Sequence, residues 1–178
     1  RIKLSCTKYA KQQLIYDDQI VTYEELWDTA AQVRQALWDL GVRPGDRVAL
    51  QLPKCLEFLY AHLANLQLGS ISIPLNPTYT PEEIAYFLAD SGAKVFITDY
   101  RQASFVQPKS AAFPNLEYVI TVGLSADNIS SDRGVLPFSG LFPPQNQIQI
   151  QSMNQSQSPD QNLKRPSAPD ADCPAKPA

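Results

Sequence analysis

Along the chain the hydrophobic positions change period several times, and each change marks a new element. Residues 14–23, LIYDDQIVTY, place two short β-prone runs on either side of a polar Asp17-Asp18-Gln19 turn, which predicts a hairpin. Thr22 followed by Glu25 forms a capping box. Leu26, Ala30, Val33, Leu37 and Leu40 then recur at spacings of four and three, so an amphipathic helix runs to Gly41, a natural C′ stop. Pro44-Gly45 suits the centre of a type II turn, and Arg47 to Leu52 alternates, with Val48, Leu50 and Leu52 on one face. Helical spacing returns through Leu56, Leu59, Tyr60, Leu63 and Leu66 and stops at Gly69, after which Ile71, Ile73 and Leu75 alternate again. Thr80, Pro81 and Glu83 open a third helix that ends near Ser91-Gly92. Ala93–Thr98 predicts the next strand and Glu117–Val122 a fourth.

Helices alternating with short apolar strands imply right-handed crossovers. The fold class predicted is therefore α/β, a doubly wound, mostly parallel sheet with flanking helices. After Gly140 the composition shifts. Residues 141–178 hold seven of the fifteen prolines and seven glutamines, with Phe142 as the one aromatic residue and no glycine. Such a segment buries too little to offset its ordering entropy, so 1–140 is read as the packed unit and 141–178 as a flexible Pro/Gln/Ser-rich linker or tail.

Composition narrows the function. A formal net charge of -3 and a pI near 5.1 argue against a nucleic-acid partner, which would demand clustered Lys and Arg. No apolar run reaches the roughly 18 residues of a membrane span, so the expected location is the cytoplasm. Cys6, Cys55 and Cys173 are scattered in unlike contexts, which suits inert reduced thiols better than a disulfide framework or a zinc site.

In open α/β sheets, ligands sit beyond the carboxyl ends of the strands, which directs attention to Pro53-Lys54-Cys55, Asn76 to Thr80, and Asp99-Tyr100-Arg101. Lys54 could meet an anion, but it is read instead as a solvated residue opening a helix, the usual fate of a surface lysine. Asn76, Thr78, Tyr79 and Thr80 could line a cleft, although turn and capping roles account for Asn76 and Thr80 without a ligand. The glycine pair Gly41 and Gly45 joins a helix to a strand, the wrong edge of the sheet for a phosphate loop. His62 is the one histidine of the chain, which leaves no second imidazole for a metal cluster. Trp27 and Trp38, eleven residues apart on the first helix, are read as packing groups.

Several strings resemble a known family. IVTYEELWDTAAQVRQAL at 20–37 resembles the first core motif of the adenylate-forming (AMP-binding) superfamily, with its Thr-Tyr-x-Glu-Leu segment. GVRPGDRVALQLP at 41–53 resembles the turn and strand that follow. LQLGSISIPLNPTYTPEEIAYFLADSGAKVFITD at 66–99 resembles the second core motif and its continuation. By their order and spacing, the resemblance extends over roughly residues 14–122. Pro74-Leu75-Asn76-Pro77 is more similar to the acyl-CoA ligases than to peptide-synthetase adenylation domains, where an aspartate commonly replaces Asn76.

The resemblance implies the N-terminal portion of an enzyme that uses ATP and Mg²⁺ to activate a carboxylic acid as an acyl-adenylate and passes the acyl group to coenzyme A. It also implies a Gly-rich phosphate loop with a Lys, an adenine and ribose region with an Asp, and a C-terminal domain with a catalytic Lys. No position here matches those motifs, so the resemblance assigns no catalytic, cofactor-binding or metal-binding residue to this chain. The alternatives are a non-catalytic remnant or interaction module, and a fragment of a peptide-synthetase adenylation domain.

Overall fold

The structure, a computed structural model, describes residues 8–16, 19–123 and 134–142. The chain begins with an antiparallel hairpin of β1 (Gln13–Tyr16) and β2 (Gln19–Thr22), in which Tyr16 faces Gln19. Gln19 is therefore a strand residue rather than part of the turn, and Asp17 and Asp18 lie outside the described residues. Helix α1 (Tyr23–Asp39) follows directly, its Thr22 and Glu25 exchanging the expected capping bonds. Gly41, at a φ of 89°, lies just beyond the helix end. Arg43 to Asp46 then closes a turn whose 3.0 Å hydrogen bond runs from Asp46 N to Arg43 O, with Gly45 at a φ of 88°.

The rest is β3 (Arg47–Gln51), α2 (Leu56–Leu68), β4 (Ile71–Pro74), α3 (Pro81–Ser91), β5 (Val95–Asp99), the single turn α4 (Tyr100–Ala103), β6 (Tyr118–Val122) and β7 (Val135–Pro137). The five later strands form one parallel sheet in the order β4-β3-β5-β6-β7. From β3 the chain moves outward to β4, then crosses back to β5 and proceeds the other way. Connections of opposite sense leave β3 and β5 adjacent, so the topological switch point lies between their carboxyl ends.

Side chains alternate across the sheet and divide between two cores. Val48, Leu50, Val95, Ile97 and Ile120 face α1 and α2, where Leu26, Val33, Leu37, Tyr60 and Leu68 cover them. Ala49, Phe96 and Val119 face the other way, under Ile84 and Leu88 of α3, with Val106, Phe113 and Leu116 closing the side. A sheet covered on both faces is the doubly wound arrangement expected from the pattern. Each large side chain removed from water in this way contributes about 1.5–3 kcal/mol.

Two details differ from the sequence reading. The fifth strand, β7, is only three residues long and ends in proline, too short to show a period; its ladder to β6 holds it, Val119 N donating to Gly134 O at 2.9 Å. The packed unit also runs past Gly140. A 3₁₀ turn, Phe138–Leu141, folds back so that Phe138, Leu141 and Phe142 join the α1-side core at 4%, 8% and 3% exposure. Composition places Leu141 and Phe142 in the tail, but a single turn is enough to return two large apolar residues to the core. Residues 143–178 lie outside the described residues.

Candidate functional site

The carboxyl ends of β3, β5 and β6 carry a row of polar residues in consecutive register: Gln51 faces Thr98, and Thr98 faces Thr121. All three are buried, at 2%, 0% and 1% exposure, in strands that are otherwise apolar inside. Buried polar groups are costly unless partnered. Here the Thr98 hydroxyl donates to Gln51 Oε1 at 3.2 Å, the Gln51 amide donates to Asn76 O at 3.3 Å, and the Thr121 hydroxyl donates to Leu136 O at 3.3 Å. The row is thus a hydrogen-bonded floor beneath the loops that leave the sheet at the switch point.

The sequence had singled out the loop above this floor, and the structure brings its members together. Asn76 Oδ1 accepts from Thr78 N at 3.0 Å and from Thr78 Oγ1 at 2.9 Å, a side-chain turn of the kind Asn favours. Tyr79 N donates to Asn76 O at 3.1 Å, and the Tyr79 ring stacks on Phe87 with centroids 5.1 Å apart. Thr80 and Glu83 exchange capping bonds that start α3. Turn and cap roles therefore account for Asn76 and Thr80, as expected. At the end of β5, Asp99 accepts from Arg101 N at 2.9 Å and sits 3.9 Å from Arg101 Nε, with the guanidinium turned to solvent. Lys54 is exposed beside Cys55 at the start of α2.

Cys55 occupies the N-cap position of α2, where a helix terminus would ordinarily lower a thiol pKa. Burial and then the neighbouring Glu57 carboxylate prevail over the Phe58 and Glu57 N–H groups and push it up to about 12. The group is a thiol at physiological pH, not a nucleophile. His62 lies half-buried on α2, its ring 3.2 Å from Ser72 Oγ and stacked on Phe58, which makes it a packing residue. Trp38 is 41% exposed and carries the Arg43 guanidinium 4.0 Å over its ring.

Gln51, Thr98 and Thr121 were not anticipated from the sequence. The available signal was a polar residue at or near the carboxyl end of three apolar strands, RVALQ, VFITD and YVITV. A separate groove of about 610 Å³ runs between α1 and the 3₁₀ turn, lined by Gln32, Ala36, Asp39, Leu40, Leu136 and Leu141 among others. None of the switch-point loop residues lines it.

Among the described residues, no glycine-rich turn runs from a strand into a helix. Phosphate cradles are built from glycine-rich turns that run from strand to helix. Gly41, Gly45, Gly69 and Gly92 all lie on helix-to-strand connections, at the opposite edge of the sheet.

The sequence profile of the AMP-binding enzyme family matches residues 4–175. The chain belongs to the AMP-binding enzyme family. Among relatives, 4-coumarate–CoA ligase 2 of Solanum tuberosum is 36% identical over 127 residues, 71% of this chain and 22% of the relative. A dimodular nonribosomal peptide synthase of Bacillus subtilis is 33% identical over 95 residues, 53% of this chain and 4% of the relative. Among solved structures, the anthranilate CoA ligase AuaEII in complex with anthranoyl-AMP superposes with a TM-score of 0.67 and 25% identity, over 79% of this chain and 25% of that one. The chain therefore spans about a fifth to a quarter of the length of these ligases and corresponds to the N-terminal portion of the adenylate-forming fold. No helix among the described residues is long and apolar enough to cross a membrane.

Proposed function

We propose that this chain is part of an ATP-dependent acid–CoA ligase, an AMP-forming acid–thiol ligase that activates a carboxylic acid as an acyl-adenylate and transfers it to coenzyme A. The observation that carries this reading is the 127-residue similarity to a 4-coumarate–CoA ligase, which runs through the Pro74-Leu75-Asn76-Pro77 loop. Asn76 stands where adenylation domains of peptide synthetases commonly have an acidic residue. In this reading ATP, Mg²⁺ and coenzyme A belong to the complete enzyme, working in the cytoplasm. This segment supplies the sheet and the switch-point loops, and its own residues perform none of the bond-making. The similarity to a nonribosomal peptide synthase favours a second reading, an adenylation domain whose acceptor is a carrier-protein thiol.

The test is carboxylate-dependent ATP–pyrophosphate exchange by the protein expressed from its complete reading frame, with a panel of aromatic and aliphatic acids, followed by assay for the CoA thioester. Exchange with thioester formation supports the ligase. Exchange with amino acids and no CoA thioester moves the assignment to the peptide-synthetase class, and absence of exchange with every acid overturns both. The 178-residue chain alone is expected to give no exchange above a blank, because its described loops offer no phosphate cradle.

A further inference from the structure

Gln51 closes β3, and its side chain does what the backbone there cannot. The β3–β4 ladder ends where Leu75 N donates to Leu50 O at 2.8 Å. One residue further the chain turns away at Asn76, and the Gln51 amide extends the ladder by donating Nε2–H to Asn76 O at 3.3 Å. The amide is oriented from behind, since Oε1 accepts from Thr98 Oγ1 at 3.2 Å and both residues are buried. The carbonyl it reaches is the one that also accepts Tyr79 N and so closes the Asn76–Tyr79 turn. A continuous set of hydrogen bonds thus runs from the central strand β5, through Gln51, to the loop that opens α3.

We propose that Gln51 is a positioning residue, its buried amide fixing the height of the Asn76–Thr80 turn above the β3–β5 switch point before any ligand arrives. What the turn faces rests on the ligase reading; the positioning itself rests on the hydrogen bonds alone. Leucine at 51 would keep the volume and lose both bonds. Glutamate would keep the acceptor for Thr98 but set a carboxylate oxygen against the Asn76 carbonyl, two acceptors face to face, unless the carboxyl is protonated and donates.

The experiment is residue-resolved amide hydrogen exchange on the 178-residue chain, expressed as protection relative to the intrinsic rate at each pH. In Gln51→Leu, protection of the Thr78 and Tyr79 amides is expected to fall by about tenfold or more, with Ile97 and Val119 in the same sheet unchanged. In Gln51→Glu the same loss is expected at pH 7.5, with recovery as the pH falls to about 4, a titration that a purely volumetric role would not produce. Unchanged protection at Thr78 and Tyr79 in both variants overturns the proposal. So does an equal loss at Ile97 and Val119, or failure of both variants to fold at every pH, since each would make Gln51 an ordinary core residue. If Gln51→Leu alone fails to fold, the pH dependence within Gln51→Glu decides. None of these outcomes depends on pyrophosphate exchange, so the ligase reading and the positioning role fail separately.

Discussion

Replacing Lys94 with methionine isolates what holds the amino-terminal edge of the sheet together. Lys94 lies between α3 and β5, and its ammonium donates to Gly41 O at 2.8 Å and to Asp46 Oδ2 at 3.1 Å, with Glu117 Oε1 at 3.7 Å. One side chain thus ties the start of β5 to the end of α1, the entry to β3 and the entry to β6. The carboxylates are 31% and 41% exposed, so solvent screens the two ion pairs and their joint worth is about 0.5–1 kcal/mol. The bond to the Gly41 carbonyl adds about 1 kcal/mol, less than the roughly 1.5–3 kcal/mol of a buried charged donor because the Lys94 side chain keeps some contact with water. Methionine retains the aliphatic stem, so the expected loss is about 1.5–2 kcal/mol at pH 7.

The pH dependence supplies the sharper check. Burial works against the Asp46 carboxylate, but the Arg43 N–H at 2.8 Å, the Lys94 ammonium and the Arg43 charge outweigh it and hold its pKa below the ordinary 3.8. A depressed folded-state pKa contributes stability that is complete above the unfolded value and disappears as the pH falls through the folded one. The difference between wild type and Lys94→Met in urea unfolding should therefore be constant from pH 7 down to about 5. Below about 4 it should narrow, leaving the part owed to Gly41. A difference under about 0.3 kcal/mol at pH 7, or one that does not change between pH 7 and 3, would refute the bracket.

Cys55 should resist thiol reagents: with its pKa pushed up to about 12, labelling at pH 8 followed by peptide mass spectrometry should be at least about a hundredfold slower in the folded chain than in urea. Equal rates would show that burial and Glu57 do not control it. Gly134→Ala should cost about 2 kcal/mol or more. Its φ of +72° strains any L side chain, and a Cβ there would stand 2.9 Å from the Glu117 carbonyl oxygen. A urea midpoint within about 0.5 kcal/mol of wild type would show that the entry to β7 relaxes freely.

The parts legible in the sequence are those where a local rule and the tertiary structure agree. Thr22 and Thr80 each form the capping box their spacing announces, and Gly69 and Gly92 end α2 and α3 in the left-handed conformation. The alternation of Val48-Ala49-Leu50 and of Val95-Phe96-Ile97 sorts these residues between the two cores without exception. The failures are of a different kind. β7 is a strand because β6 offers it a ladder, and Leu141 and Phe142 are core because the 3₁₀ turn aims them at α1. Neither fact is contained in the few residues concerned.

The same distinction explains why the site was harder to read than the fold. Asn76 to Thr80 announced themselves through turn chemistry, which is local. Gln51, Thr98 and Thr121 carry meaning only as a row, and a row exists only once register places residues of three strands side by side. Strand order then gives that row its position. Because the winding of the sheet reverses between β4 and β5, the Gln51–Thr98 pair lies where the described crossovers on the two faces diverge and leave the strand ends open. The opposite edge is closed by tight glycine turns and the Lys94 bracket. One edge of the sheet is thus committed to holding the domain together. The other presents a buried polar floor with the Asn76–Tyr79 turn bonded to it, so a substitution at Lys94 should register in global unfolding and one at Gln51 in the local behaviour of a single loop.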